Sequence, residues 1–144
     1  NPFVETYWVR INEKYGFYGK LDECIVNSKN ELIPVDFKTS SSDPREKEIL
    51  DAYKSQIDDY IFIIEKNNKK VAGIGYLVFV FPDHSKKLHD RFPMVIHTVK
   101  VEGDSKRAES RIKNAIKILD GKMPKACKDC NFCKYRQAVK QFES

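Results

Sequence analysis

No stretch of this chain approaches the roughly 20 consecutive apolar residues that a membrane-spanning helix requires, so a helical membrane anchor is excluded from the sequence as it stands. The first residues, Asn1-Pro2-Phe3-Val4-Glu5, lack the basic segment and apolar stretch of a secretory signal; with no initiator Met, they are expected to be a cut into a longer chain. Internal repeats and low-complexity tracts are missing too, which sets aside repeat arrays and compositional linkers. Cysteine is scarce, four in 144 residues. A chain of this size buries a core without disulfides or metals supplying the stability. What remains is 41% hydrophobic and 33% charged, the composition of one soluble globular domain, expected in the cytoplasm.

Charge is unevenly spread. The net charge is +5. From Ser105 to Ser144 there are eleven Lys/Arg against four Asp/Glu, leaving 15 basic and 17 acidic residues upstream. A C-terminal part at about +7 beside a remainder at about −2 suits a phosphate backbone as partner, and equally suits a solvated helix face.

Hydrophobic periodicity orders the chain. Tyr7, Val9 and Ile11 alternate with more polar neighbours, and Phe17 to Val26 forms a second strand candidate after Tyr15-Gly16. The turn-like Asn27-Ser28-Lys29-Asn30 leads into a third strand from Leu32 to Thr39. Three consecutive antiparallel strands are expected. Asp43 and Pro44 mark a helix start, with Glu46 and Glu48 favouring its positive end. Ile49, Leu50, Tyr53, Ile57, Tyr60, Ile61 and Ile64 recur at helical steps, so this helix should reach about Asn67 with one side on a sheet. Val71 to Phe81 reads as a central strand covered on both faces, and Phe92 to Val101 as a further strand. A helix capped by Asp104 or Ser105 then carries Ile112, Ala115, Ile116 and Leu119 and ends near Gly121. The expected domain core is 1–121, with a basic, cysteine-containing segment, 122–144, packed on the same domain.

Chemistry gathers at two points of this order, Asp22 and Asp36-Phe37-Lys38. Strand residues two apart share a face, so Asp36 and Lys38 project together, and a neighbouring strand can bring Asp22 beside Asp36. Two close carboxylates repel unless a cation or proton joins them, and an oxygen-only site, including the Phe37 carbonyl, suits Mg²⁺ or Mn²⁺. For phosphodiester hydrolysis such a metal polarises the phosphate and activates a water, while the Lys38 ammonium orients that water or stabilises developing charge. An Asp-x-Lys on a strand is by itself most often a surface salt bridge. Here the flanks are apolar, and Gln56 and Tyr60, four apart on the following helix, share a face that can reach the same place.

Gly19-x-x-Asp22, Val35-Asp36-Phe37-Lys38-Thr39 and Gln56-x-x-x-Tyr60 together resemble, in order and spacing, the three motifs of RecB-like and CRISPR-associated nucleases of the PD-(D/E)XK superfamily. The resemblance implies an α/β, restriction-endonuclease-like fold with a mixed sheet flanked by helices. It also implies that Asp22 and Asp36 bind the metal, that Lys38 is catalytic, and that Gln56 and Tyr60 assist. Members usually begin with a helix, often bearing a His or Glu that joins the site; Glu5 is the nearby stand-in, and reads more readily as an exposed strand residue.

Cys127, Cys130 and Cys133 form Cys-x-x-Cys-x-x-Cys, with Cys24 far off beside Asp22. Such spacing reads as ligands, for zinc or an iron–sulfur cluster, or as reduced thiols. The resemblance implies a cluster of the 4Fe–4S kind, for which the fourth ligand would stand ahead of the core. His84 and His89 look solvated, and His97 adds little. Tyr76, Phe79 and Phe81 read as packing, Phe132 and Tyr135 as candidates for nucleic-acid contact. The sequence therefore points to a Mg²⁺- or Mn²⁺-dependent DNase acting on single- or double-stranded DNA. The alternative is an inactive nuclease-fold module that binds DNA or a partner protein.

Overall fold

The computed structural model describes residues 6–46, 51–87 and 91–142. Glu5, Glu48, Ile49, Leu50 and His89 lie outside them. Among the described residues six strands and three helices follow one another: β1 (Thr6–Arg10), β2 (Gly16–Lys20), β3 (Glu23–Val26), β4 (Leu32–Thr39), α1 (Asp51–Lys66), β5 (Ile74–Pro82), β6 (Met94–Glu102), α2 (Ser105–Asp120) and α3 (Asn131–Val139). Two compact units divide the chain at residues 112 and 113.

In the first unit the sheet runs β3-β4-β5-β6, with β4 and β5 parallel and the outer pairs antiparallel. This is the expected mixed α/β architecture. The parallel pair needs a crossover, and α1 supplies it. Gly75 permits the close approach of helix to sheet: a Cβ there would stand 2.8 Å from Ile57 Cγ2 and 3.0 Å from the Pro34 carbonyl. Ile57, Ile61 and Ile64 of α1 join Leu77, Phe79, Phe81 and Val101 in one core.

The β1–β2 hairpin is a separate two-stranded sheet, and it lies against the other side of α1. Phe17 meets Phe62 edge-on at 5.8 Å, and the space a Gly19 side chain would need is held by Ile63, 3.3 Å away. The helix is therefore buried on both sides, and its run Ile57-Asp58, then Tyr60 to Ile64, is closed to solvent. One side faces the four-stranded sheet, as expected, and the hairpin covers the other.

The expected single strand from Phe17 to Val26 is broken at Leu21-Asp22 into β2 and β3, which belong to different sheets. Leu21 is 1% exposed, and turning it inward bends the chain at Asp22. Strand β5 is fully covered on one face only: Leu77, Phe79 and Phe81 are buried, Tyr76, Val78 and Val80 half-buried. The helix start at Asp43 is a single 3-10 turn, Pro44–Glu46. There Asp43 Oδ1 accepts from the Arg45 amide at 2.9 Å. Asp104 caps α2 as expected, accepting from the Lys106 amide at 2.8 Å. No described helix is long and apolar enough to cross a membrane.

The second unit contains the end of α2 and α3. Helix α3 was not expected, since its stretch carries no strong apolar period.

Candidate active site

The site forms where β4 carries charge into the core. The antiparallel register pairs Glu23 with Val35, and one further step brings Asp22, in the bend, opposite Asp36. One Asp22 carboxylate oxygen, Oδ2, accepts from the Phe37 amide at 3.0 Å. Asp36 is 2% exposed and ion-pairs through Oδ2 with Lys38.

From Lys38 a chain of bonds returns to its start. The ammonium donates to Gln56 Oε1 at 2.7 Å, Gln56 Nε2 donates to the Tyr60 hydroxyl at 2.7 Å, and that hydroxyl donates to Asp36 Oδ1 at 3.2 Å. Burial, and then the charges of Asp36 and Asp22, push the Tyr60 phenol well above its ordinary value. Tyr60 thus stays protonated and keeps its proton on Asp36. Lys38 Nζ also lies 5.0 Å from the centroid of the Tyr53 ring. Tyr53 reads from sequence only as an apolar helix position. Its spacing to Gln56 and Tyr60, three and seven residues, is the signal that puts it on the site face.

The donor set suits a hard divalent cation. Asp36 Oδ2 is buried and, beyond its ion pair, has no hydrogen-bond donor among the described residues. The Asp22 carboxylate is exposed beside it. No group of three or more His, Cys, Asp or Glu that could hold a metal is found among the described residues. The described residues thus offer two carboxylates, the number with which Mg²⁺ is commonly content because it keeps much of its water. Glu5, the expected stand-in for a third, lies outside the described residues.

The family sequence profile of the PD-(D/E)XK nuclease superfamily matches residues 3–138. The chain belongs to the PD-(D/E)XK nuclease superfamily. Among solved structures, SSO0001 is similar in fold at 22% identity, with a TM-score of 0.57, over 92% of this chain. The chain spans 56% of that protein's length. No curated protein matches significantly. The fold of this PD-(D/E)XK chain is thus a nuclease-type fold, and nucleic acid is the substrate class that its superfamily implies.

A second charged cluster was not visible in the sequence. Asp58 of α1, 2% exposed, accepts from Arg107 Nε at 3.0 Å and Nη2 at 2.8 Å. It also accepts from Arg111 Nη1 at 3.1 Å and from the Asp104 amide at 2.7 Å. Burial opposes the charge on Asp58, yet the hydrogen bonds from Arg107, Asp104 and Arg111 together hold its carboxyl below the usual range. Arg111 reaches Asp59 as well, at 2.6 Å. Arg107 and Arg111, both among the C-terminal cations, are therefore engaged within the protein.

The cysteines are all free thiols. Cys24 is half-buried on β3 and packs against the core. In the second unit Cys130 stands at the N-cap position of α3, and hydrogen bonding from Cys133 and the Phe132 amide holds its thiol below the usual range. Cys127 is exposed on the preceding turn. The three sulfurs are not gathered into a metal-holding group. Phe132 and Tyr135 are each 66% exposed, and the exposed His84 ring lies 2.9 Å from the Ser41 carbonyl.

Proposed function

We propose that this chain is the core of a RecB-like, divalent-cation-dependent deoxyribonuclease. One observation carries the reading: a buried Asp36 linked to Lys38, Gln56 and Tyr60 in a closed circuit, with the Asp22 carboxylate set beside it. Asp22, Asp36 and the Phe37 carbonyl would hold Mg²⁺ or Mn²⁺. When bound, such a cation polarises the phosphate and makes a water more acidic.

The side chains have separate tasks in this reading. The Phe37 amide fixes the Asp22 carboxylate, and the Tyr60 hydroxyl fixes that of Asp36. Gln56, accepting from Lys38 and donating to Tyr60, ties the ammonium to the hydroxyl that holds Asp36. Lys38 then orients the attacking water or neutralises charge on a phosphate oxygen as the phosphorus–oxygen bond to the leaving sugar oxygen breaks. A second reading, an inactive module that binds DNA or a partner, is favoured by the same circuit seen as self-satisfied.

Cleavage of single- and double-stranded DNA with Mn²⁺ decides between them. The wild type should cut, and Lys38→Ala should lose at least about a hundredfold in turnover while still binding Mn²⁺. Lys38→Arg should recover little, because a planar fork does not take the place of a compact ammonium. A Lys38→Ala protein cutting at the wild-type rate would reduce Asp36-Phe37-Lys38 to an ordinary salt bridge.

A further inference from the structure

The two faces of the β1–β2 hairpin differ in character. Tyr7, Val9, Phe17 and Gly19 turn toward the core and α1. Thr6, Trp8 and Arg10 alternate with them on β1, as Gly16, Tyr18 and Lys20 do on β2, and all six are exposed. The register sets Trp8 opposite Tyr18, Thr6 opposite Lys20 and Arg10 opposite Gly16. Two aromatic rings thus occupy the middle of this face, with one cation toward each end and no acid at any of its six positions.

Packing does not use these rings up. Trp8 keeps 53% of its surface exposed and Tyr18 61%. The indole lies along the hairpin over Gly16, where a Cβ would come within 2.7 Å of Nε1. Neither Arg10 nor Lys20 is ion-paired among the described residues. A cross-strand aromatic pair adds stability to a hairpin, but that role asks for no flanking cations. Base stacking on aromatic faces with Arg and Lys tracking the backbone asks for both. The face also leads somewhere: β2 ends at Lys20, two residues before Asp22.

We propose that the outer face of this hairpin binds single-stranded nucleic acid, stacking bases on Trp8 and Tyr18 and phosphates against Arg10 and Lys20, and delivers the strand to Asp22 and Asp36. Only the delivery rests on the nuclease reading; the binding does not. A duplex hides its base faces within its own stack, so the platform selects unpaired strands.

Trp8 is the sole tryptophan of the chain, and its fluorescence reports this face alone. An oligothymidylate of about 12 nucleotides, within the range of site sizes for such surfaces, is titrated into Asp36→Asn protein in EDTA. Trp8 emission should be quenched saturably and more weakly at higher salt. A duplex of equal length should bind at least about tenfold less tightly. Tyr18→Ala should weaken oligonucleotide binding about tenfold, and the Arg10→Glu/Lys20→Glu double variant, which leaves both rings in place, should do so by at least as much. Binding of a labelled oligonucleotide with Trp8 emission unchanged, equal quenching by duplex, or no binding would each overturn the proposal. Neither metal nor turnover enters this measurement. Quenching in this titration with wild-type protein that never cuts in Mn²⁺ would sink the nuclease reading alone, and wild-type cutting without quenching would sink the platform alone.

Discussion

Replacing Lys38 by alanine removes the cation from Asp36 without touching either carboxylate, and the result should depend on what is dissolved in the buffer. Asp36 is 2% exposed and the Lys38 side chain 18%. Breaking a buried pair by removing one partner costs about 3–5 kcal/mol when the other stays charged and unmatched. Here the hydrogen bond from Tyr60 remains and Lys38 is not wholly desolvated, so a loss of about 2–3 kcal/mol is expected in EDTA. A bound divalent cation would take over the missing charge. At a Mn²⁺ concentration a hundredfold above its dissociation constant, binding to the folded state adds about 2.7 kcal/mol. Lys38→Ala, free of the competing ammonium, should bind Mn²⁺ at least as tightly as wild type and recover most of its loss. Urea unfolding of both proteins in EDTA and in Mn²⁺ measures all four stabilities. Equal midpoints for the two proteins in EDTA would show that Lys38 does not compensate Asp36. A Mn²⁺ shift absent from both would remove the cation from Asp22 and Asp36.

Three further outcomes follow from the geometry. Tyr60→Phe deletes the donor to Asp36 Oδ1 and the acceptor of Gln56, and urea unfolding should show a loss of about 1–3 kcal/mol. Asp58 has its carboxyl held below the ordinary 3.8, so it binds protons less readily folded than unfolded. Its contribution is present above about that pH and fades as pH falls through the lower folded value. Asp58→Asn should therefore unfold more easily at neutral pH and lose part of the steep acid limb, as a pH series of thermal melts would reveal. Gly75→Ala places a Cβ 2.8 Å from Ile57 and should cost about 1–3 kcal/mol through overpacking; a wild-type melting temperature would show that α1 yields freely there.

How much of this was legible in the residues varies with the range of the interaction. Asp36 and Lys38 meet because a strand has a period of two, and Gln56 meets Tyr60 because a helix brings residues four apart together; both are local rules written in the spacing. The apolar run of β5 and the periodicity of α1 were equally plain. The break at Leu21-Asp22 was not, because Cys24, Ile25 and Val26 resume a strand-like run directly after Asp22-Glu23. Its cause is tertiary: burial of Leu21 and capture of the Asp22 carboxylate by the Phe37 amide, 15 residues on. The Asp58 cluster joins residues 49 and 53 positions apart and leaves no local pattern. The second side of α1 escaped notice because Phe62 and Ile63 look like surplus apolar residues until the hairpin is seen to cover them.

That double covering has a consequence for how the chain tolerates change. From Gln56 to Ile64, neighbouring positions answer to different masters: Gln56 and Tyr60 to the site, Ile57 and Ile61 to the sheet, Asp58 to the arginines of α2, Phe62 and Ile63 to the hairpin. A surface helix normally keeps one stripe free to drift in sequence. Here the stretch has almost none, and in a library of variants selected for folding it should be the segment most depleted of substitutions, including those that never touch the carboxylates.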